Sequence, residues 1–495
     1  MHQQINRITD ILRRDDGISG AMHYTEQISW ILFLKFLSDY ERNKAFDAEL
    51  DGKTYKWLLE LPYRWEQWAC PKTADNKPDL KNALTGSDLI GFVNDRLFPY
   101  LKSFRDSHAG NPKTIEYKIG GIFEVITNRI QNGGNLREVL NIVDALEFQN
   151  NSDLFELSKI YEDLLKGMGS DGGNSGEFYT PRPLIKTMVE VVRPEIGQRI
   201  YDPASGTCGF LIEAFEYIKK GNTDAQGNLR LSGEQTRFLQ SESLSGVEKT
   251  PLSYAMGVMN MILHGVEAPN IRKENTLNRD IRQIQESERY DVILANPPFG
   301  GKENESIQSN FPIESNATEL LFLQHILKSV RAGGKIGIVL PEGVLFQTNN
   351  AFTRVKQLML EDFNLHTIVS LPAGVFLPYS GVKTNVLFLE KTGSTRQIWY
   401  YEVNPPYKLT KNKPIQYEHF EEFLRLLPEK AASDNSWTLS INQIENYDLS
   451  AKNPNKTSKE VLPTPAELLS AIEADDQKIQ AALADLREVL GRKIF

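Results

Sequence analysis

Apolar residues in the first third of the chain recur every three or four positions. Such runs occupy residues 28–37, 89–101, 119–130 and 153–166. This spacing places the apolar side chains on one face of a helix. The pattern predicts an all-helical N-terminal domain over residues 1–165, in which Gly133-Gly134 end the helix of residues 119–130.

After a glycine-rich stretch at residues 167–176, short apolar runs alternate with longer helical patterns. Strands are predicted at residues 199–202, 244–248, 271–277, 291–295 and 335–340, with a closing pair at 366–371 and 385–389 and one more strand at 399–403. Strands that alternate with helices form parallel β-α-β units. The predicted fold class is therefore α/β, with a doubly wound, mostly parallel sheet in a catalytic domain over residues 166–405.

The C-terminal region, residues 406–495, combines a polar linker at residues 451–465 with an amphipathic tail from Pro465. Leucine and isoleucine recur in the tail near a heptad spacing, at residues 468, 472, 479, 483, 486 and 490. An isolated helix with one apolar stripe needs a surface to pack on. The sequence leaves open whether that surface belongs to the chain's own domain or to another subunit.

Composition narrows the class of protein without identifying it. No apolar run of about 18 residues predicts a membrane span, and residues 1–7 lack the pattern of a signal peptide. Only two cysteines are present, Cys70 and Cys208, which excludes a disulfide framework and a cysteine-based zinc site. A reducing, cytoplasmic location is therefore expected. The net charge of −9 argues against a general attraction to nucleic acid, so DNA binding requires a local basic surface or a partner.

The most informative motif is Asn296-Pro297-Pro298-Phe299, which directly follows the predicted strand of residues 291–295. Open α/β sheets bind ligands where their strands end. The asparagine amide and a proline-flanked backbone carbonyl are two acceptors in a rigid frame, and an aromatic ring follows them. This combination suits a planar ring that carries an amino group, although a proline pair often does no more than end a strand.

A second group of candidate residues follows the first two strands. The turn from Asp202 to Gly209 (Asp-Pro-Ala-Ser-Gly-Thr-Cys-Gly) offers close backbone approach and a helix N-terminus, and Glu248 ends the next strand. A carboxylate at that place accepts hydrogen bonds from ribose hydroxyls. The dinucleotide fingerprint Gly-x-Gly-x-x-Gly and the Gly-Lys-Ser/Thr ending of a P-loop are both absent. Because Asp202 would repel a pyrophosphate but suits an ammonium group, the pattern indicates S-adenosylmethionine (SAM).

Three segments together resemble the successive motifs of adenine-N6 DNA methyltransferases. They are residues 177–183 (Glu-Phe-Tyr-Thr-Pro-Arg-Pro), residues 202–211 and residues 296–299. Their order, with the cofactor motif before the catalytic motif, is similar to the gamma arrangement. The helical N-terminal domain, the chain length and the tail resemble the modification subunit of type I restriction–modification systems. Cys208 departs from the family, which usually has glycine or alanine at that position.

The resemblance implies the roles of the catalytic motif. The adenine amino group would donate to Asn296 and to the carbonyl of Pro297, Pro298 would complete the motif, and Phe299 would stack on the flipped base. No metal is implied. The polar loop of residues 300–317 is expected to close over the base.

The resemblance also implies a cofactor site for SAM. Ser205, Gly206 and Thr207 would hold its methionine end, with Asp202 nearby. Glu248 would hold its ribose. The residues that would line the rest of the site are Glu177, Phe178, Tyr179, Thr180, Pro181 and Arg182.

The partners implied by the family are double-stranded DNA, a specificity subunit that bridges two copies of this chain, and a restriction subunit in the full complex. No membrane partner is implied, and the tail from Pro465 is expected to help dock the specificity subunit. Two other interpretations stay open at this point. The motif of residues 296–299 also occurs in RNA-guanine and protein-glutamine methyltransferases, and a non-catalytic assembly subunit would keep the same fold.

Overall fold

The computed structural model describes residues 2–73, 75, 77–79, 81–146, 161, 163–164, 180–377, 380–455 and 465–491. The chain forms two compact units, Met1–Ala451 and Lys452–Phe495. The glycine-rich stretch at residues 167–176 and, apart from residues 161, 163 and 164, the predicted helix at 153–166 lie outside the described residues. None of the helices within these ranges is long and apolar enough to cross a membrane.

The described part of residues 1–146 consists of helices and connecting segments, as the sequence predicts. Its helices are α1 (His2–Leu12), α2 (Ala21–Leu50), α3 (Trp65–Trp68), α4 (Gly86–Phe92), α5 (Phe98–Ser107), α6 (Ile115–Phe123) and α7 (Gly133–Asp144). A π-helical turn, Val93–Leu97, joins α4 to α5. Every side chain of α2 from Thr25 to Asp39 is buried, so this helix lies at the centre of the helical region.

One predicted helix boundary is wrong. Gly133 and Gly134 begin α7, and the preceding helix already ends at Phe123. The Asn132 side chain accepts hydrogen bonds from the N–H groups of Gly134 and Asn135, and this cap starts the helix. A glycine pair is typical of a helix end, but when a capping side chain directly precedes the pair, the glycines can begin a helix instead.

The second half of the first unit is built on a sheet that has nine strands in the described part of the chain. They are β1 (Ile200–Asp202), β2 (Leu244–Glu248), β3 (Asn270–Lys273), β4 (Tyr290–Ala295), β5 (Val330–Pro341), β6 (Asn364–Ser370), β7 (Thr384–Glu390), β8 (Gln397–Glu402) and β9 (Ser436–Ser440). Their order is β3-β2-β1-β4-β5-β7-β6-β8-β9. The strands β1 to β5 pair in parallel, β7 is antiparallel to β5 and β6, and β8 is parallel to β6. The predicted doubly wound, mostly parallel fold class is confirmed.

Helices connect these strands and form two cores with the sheet. They are α8 (Arg182–Val192), α9 (Gly209–Gly221), α10 (Gly233–Ser241), α11 (Pro251–Leu263), α12 (Glu305–Gln308), α13 (Thr318–Ser329), α14 (Glu342–Phe346), α15 (Asn350–Asp362) and α16 (Glu421–Leu426). Val292 and Leu294 of β4 enter one core, whereas Ile293 and Ala295 enter the other. Alternate residues of a strand point to opposite faces, so the sheet separates the two cores.

Three strands differ from the prediction in detail. The third predicted strand ends at Lys273, because the Asn275 side chain accepts a hydrogen bond from the Leu277 N–H and starts a short 3₁₀ turn. The strand predicted at residues 335–340 already begins at Val330. β9 is absent from the prediction, and it pairs antiparallel with β8 at the end of the sheet.

In the second unit, α17 (Pro465–Gly491) is one continuous helix, as the sequence predicts from Pro465 onward. Its large exposed apolar side chains are Leu468, Leu469, Ile472, Ile479 and Leu483.

Candidate active site

A cleft of about 530 Å³ lies where β1, β2 and β4 end. These strands run in the same direction, so their carboxyl ends meet at one edge of the sheet. The cleft is lined by ten of the residues predicted from the sequence, namely Thr180, Arg182, Asp202, Ser205, Gly206, Thr207, Glu248, Asn296, Pro298 and Phe299. Pro181 and Pro297 are neighbours of lining residues but do not line it themselves. Glu177, Phe178 and Tyr179 lie outside the described residues.

The turn after β1 is held to β2 before it enters α9. The Ser205 N–H donates to the Val247 carbonyl at 2.9 Å, and the Cys208 N–H donates to the Ser205 carbonyl at 2.6 Å. Gly206 and Cys208 have φ angles of +49° and +65°. Glycine adopts this left-handed conformation without cost, whereas cysteine is strained in it. The turn thereby presents its backbone from Ser205 to Thr207 to the cleft.

Two residues of α11 support this turn, and the sequence alone did not reveal them. A Cβ atom on Gly257 would lie 2.8 Å from the Cys208 Sγ and 2.8 Å from the Gly206 carbonyl oxygen, so the absence of a side chain makes room for the turn. The Asn260 Nδ2 donates to the Thr207 carbonyl at 2.9 Å. The Asn260 Oδ1 is buried without a hydrogen-bond partner among the described residues, and Asn260 lines the cleft.

Two buried carboxylates face the same cleft. Asp202 accepts a hydrogen bond from the Ala204 N–H at 3.0 Å, and Glu248 accepts from the N–H groups of Gly206 at 2.9 Å and Thr250 at 2.7 Å. Burial, with the nearby Glu248 charge, raises the pKa of Asp202 to about 8. Burial also raises the pKa of Glu248. A ligand that brings a cation to Asp202 and hydroxyl groups to Glu248 would favour their charged forms.

Arg182 lies at the start of α8 and is also drawn into the cleft. Its guanidinium donates to the Gly209 carbonyl at 3.3 Å and lies 3.8 Å from Glu213. Burial lowers the pKa of Arg182 to about 10, so the side chain stays cationic at neutral pH. It thereby connects the segment before α8 with the beginning of α9.

Asn296 follows β4, and the two polar atoms of its side-chain amide differ in their hydrogen bonding. Its Nδ2 donates to the Thr180 hydroxyl at 3.0 Å. Its Oδ1 is buried and has no hydrogen-bond partner among the described residues. A buried acceptor without a donor is costly in a folded protein. This atom is therefore available to a ligand that brings an N–H group into the cleft.

Phe299 lines the cleft beside Asn296, and a second aromatic ring packs against it. The Phe376 ring lies edge-to-face at 6.1 Å between centroids, with an interplanar angle of 84°. Phe376 is buried and belongs to the turn between β6 and β7. Phe376 is far from Phe299 in the sequence, so this contact could not be predicted from the sequence.

The cleft has further lining residues that the sequence motifs did not indicate. They include Met22, Thr276, Glu303, Thr318 and Phe322. Met22 comes from α2, so the helical region contributes to the cleft. Glu303 lies in the loop of residues 300–317 and accepts a hydrogen bond from the Thr318 hydroxyl at 3.1 Å. Closure of that loop over a base stays a prediction. Across the described ranges, no group of three or more His, Cys, Asp and Glu side chains is arranged to hold a metal.

Two family models match the chain and together span most of it. The model described as N-6 DNA Methylase matches residues 151–461. The model described as HsdM N-terminal domain matches residues 1–153. The first match includes the strands and every lining residue of the cleft named above except Met22. The second match includes Met22 and the helices α1 to α7.

Individual relatives resemble the chain over nearly its full length. The methylase subunit of the type I restriction enzyme EcoEI from Escherichia coli is 36% identical in an alignment of 504 positions, gaps included. This alignment covers 98% of this chain and 97% of the relative. A crystal structure of a modification subunit assigned to a type I restriction enzyme from Vibrio vulnificus YJ016 is 37% identical, with a TM-score of 0.80 over 93% of this chain and 98% of the other. A structure from work on complex assembly and conformational transition of the type I R-M system is 40% identical, with a TM-score of 0.76 over 99% and 98% of the two chains.

Proposed function

The chain belongs to the N-6 DNA methylase family, as a methylase subunit of the type I restriction–modification kind, and from this premise we propose how its cleft methylates adenine. The chain is accordingly an adenine-specific DNA methyltransferase that uses a methyl donor. The proposal concerns the identity of that donor, the residues that bind it, and those that prepare the adenine amino group.

The donor is SAM, and the residues around the cleft fit it. The buried Asp202 suits its ammonium group, and the turn from Ser205 to Thr207 suits its methionine end. Glu248 accepts from the N–H groups of Gly206 and Thr250, and its carboxylate suits the ribose hydroxyls as further donors. When bound, SAM supplies an electrophilic methyl group. The unpartnered Asn260 Oδ1 offers one more acceptor along the cleft.

The observation that carries the proposal is the unpartnered Oδ1 of Asn296. The amino nitrogen of adenine is a poor nucleophile, because its lone pair is delocalised into the ring. Asn296 Oδ1 and the carbonyl of Pro297 are two acceptors for the hydrogens of that nitrogen. Held out of the ring plane, they favour a tetrahedral nitrogen and return the lone pair to it. Since Thr180 already fixes the amide, little reorganisation is needed at the moment of reaction.

The adenine has to leave the duplex to reach this position. A cleft in the protein cannot enclose a base that is still stacked and paired, so the nucleotide is flipped out. Phe299 then stacks on the adenine ring, and Phe376 holds the Phe299 ring by its edge. Stacking on an aromatic side chain contributes about 1–3 kcal/mol per base, which is comparable to the cost of unstacking.

The assembly is proposed from the family and from the tail. A type I methylase subunit works with a specificity subunit and a restriction subunit, and we assign two copies of this chain to each specificity subunit. The exposed apolar side chains of α17 suit a docking role with the specificity subunit. The cytoplasmic location expected from the sequence is part of the same proposal, and both cysteines are free thiols.

A methylation assay with radiolabelled SAM tests the proposal. The chain, assembled with its specificity subunit, is offered duplex DNA, RNA and protein separately. We expect label only in DNA, at the N6 position of adenine after digestion to nucleosides. Label in RNA guanine or protein glutamine, or no transfer to any substrate, would overturn the assignment.

A further inference from the structure

The carboxyl ends of β8 and β4 lie at the same edge of the sheet. β5 is parallel to β4, β7 is antiparallel to both β5 and β6, and β8 is parallel to β6. The segment that follows β8 therefore leaves the sheet on the side where Asn296 follows β4. Four strand positions separate β8 from β4, which corresponds to roughly 19 Å at the usual spacing of strands.

The segment after β8 forms a small anchored hairpin at residues 407–415, which we call the lysine hairpin. Thr410 and Lys413 exchange two backbone hydrogen bonds of 3.1 Å across its tip. Leu409 and Ile415 are each only 2% exposed, so they fix the hairpin to the core. Its exposed cationic side chains are Lys408, Lys411 and Lys413.

The three lysines of the hairpin lie in a stretch of sequence without acidic residues. No aspartate or glutamate occurs in the sequence from residue 403 to residue 417. None of the three lysines forms an ion pair with a described residue, and Lys413 lies over the Tyr407 ring at 5.9 Å. In a chain with a net charge of −9, this hairpin is a local basic surface of the kind that DNA binding requires.

Contacts connect the lysine hairpin with the catalytic motif. Gly374 has a φ of +90°, and a Cβ atom on it would lie 3.3 Å from the Leu409 carbonyl oxygen. The same turn carries Phe376, whose ring contacts Phe299. The hairpin is thus supported by the turn that also supports the proposed base-stacking ring.

We infer that the lysine hairpin binds the phosphate backbone of duplex DNA beside the flipped adenine. The inference rests on the proposed function. The offset of roughly 19 Å between β4 and β8 corresponds to about five or six phosphates along one DNA strand. At that distance the lysines reach backbone that stays in the duplex while the adenine occupies the cleft. Contacts to phosphate position the duplex without reading its sequence, which leaves recognition to the specificity subunit.

The test measures how DNA affinity depends on salt. Binding of a fluorescein-labelled 30-base-pair duplex is followed by anisotropy between 50 and 200 mM KCl, with the full chain alone and with its specificity subunit. The slope of log K against log salt is negative, and each lost phosphate contact makes it shallower by about 0.9. In the triple variant Lys408→Gln, Lys411→Gln and Lys413→Gln the slope is expected to be shallower by about 2.7. Over this range the wild-type protein should then lose about 40-fold more affinity than the variant.

A matched variant removes three other cations. One lies at the end of α9, one in α10, which precedes β2, and one in α13, which precedes β5. The matched variant carries Lys220→Gln, Arg237→Gln and Lys328→Gln, and it should keep the wild-type slope. SAM binding measured by calorimetry should be equal in all three proteins. An unchanged slope in the hairpin variant, or an equal loss in the matched variant, would overturn the inference. The inference would also be overturned if the hairpin variant kept the wild-type slope but no longer co-eluted with the specificity subunit. The hairpin would then be a protein-docking surface.

The two proposals fail in different ways. If the wild-type complex transfers no methyl group to DNA, the proposed function fails and the inference with it. If the wild-type complex methylates DNA and the hairpin variant binds and methylates it equally well at every salt concentration, only the inference fails.

Discussion

The side-chain amide of Asn296 donates through Nδ2 to the hydroxyl of Thr180 at 3.0 Å. This hydrogen bond joins the end of β4 to the start of α8, two segments that are 116 residues apart in the chain. It decides which amide atom faces the ligand, because an Nδ2 that is already engaged leaves Oδ1 as the free acceptor.

Asn296→Ala should abolish methyl transfer while SAM binding survives. The substitution removes a preorganised acceptor from the reacting nitrogen, and losing one such group typically costs about 100-fold or more in kcat. Single-turnover methylation and calorimetric titration of SAM give the two readouts. Full residual methyl transfer in this variant would refute the role of Asn296.

Thr180→Val should lower kcat by about fivefold, with little change in the Kd for SAM. The valine has the size of threonine but cannot accept from Asn296 Nδ2, and one hydrogen bond contributes about 1 kcal/mol net. Thr180→Ser keeps the hydroxyl and should restore the rate. If the serine variant is as slow as the valine variant, the hydrogen bond does not position Asn296.

Phe299→Ala should weaken catalysis more than cofactor binding. Loss of stacking on the flipped adenine removes about 1–3 kcal/mol, equivalent to about 5- to 150-fold in kcat/KM for DNA. Phe299→Trp keeps an aromatic face and should retain much of the rate. An unchanged turnover in the alanine variant would count against stacking.

Much of the fold was predictable because its signals are local. Most of the strands from β1 to β8 are the apolar runs that the sequence predicts, although β3 is shorter and β5 longer than expected. The motifs at Asp202 and Asn296 lie at the ends of two of these strands. β9 was missed because Ser-Trp-Thr-Leu-Ser is mostly polar, and only its pairing with β8 makes it a strand. The boundary at Gly133 was wrong because its cap, Asn132, outweighs the usual meaning of a glycine pair.

The parts of the cleft that escaped prediction are contacts between distant segments. Phe376 meets Phe299, and Asn260 holds the Thr207 carbonyl, through the packing of elements that are remote in sequence. Met22 reaches the cleft from α2 in the helical region. No spacing rule connects such residues, since their proximity is a property of the assembled sheet and helices.

SAM should bind more tightly as pH rises from 6 to 7.5. Burial raises the pKa of Asp202 to about 8, so in this range the free protein holds the carboxyl mostly neutral. A bound ammonium favours the charged carboxylate, and binding therefore releases a proton. Below pH 8 the affinity then rises by up to about tenfold per pH unit.

Two measurements check this pH dependence. Calorimetry in buffers of different ionisation enthalpy should detect the released proton, and the range stays below the pKa of a free α-amino group, which is about 7.7–8.0. Asp202→Asn should bind SAM more weakly with a flat profile. A wild-type affinity that does not change from pH 6 to 7.5 would exclude the proposed pairing of Asp202 with an ammonium.

Gly257→Ala should weaken SAM binding and lower the melting temperature. Its Cβ would lie 2.8 Å from both the Cys208 Sγ and the Gly206 carbonyl oxygen, so the turn after β1 has to move. Overpacking of this kind costs about 1–3 kcal/mol. Gly233→Ala is the matched control, because a Cβ atom there meets nothing within 4 Å. Equal SAM affinity in both variants would show that the turn does not shape the cofactor site.

Removal of the tail from Pro465 should leave SAM binding intact and abolish assembly with the specificity subunit. The large apolar side chains described on α17 fall on one stripe of the helix and are exposed, with Ile472 64% and Ile479 57% accessible. An exposed apolar stripe of this length is typical of a surface that another helix covers. Co-elution of the two subunits in size-exclusion chromatography is the readout.

Point substitutions separate the stripe from the helix as a whole. The variant with Leu468→Gln, Ile472→Gln and Ile479→Gln should lose assembly as completely as the truncation does. The variant with Ser470→Gln, Ala474→Gln and Ala481→Gln changes the opposite face of the same helix and should assemble normally. Both variants should bind SAM like the wild-type chain, since the cleft lies in the first unit. If the truncated chain still co-elutes with the specificity subunit, the docking surface lies elsewhere, because an absent helix cannot contribute to it.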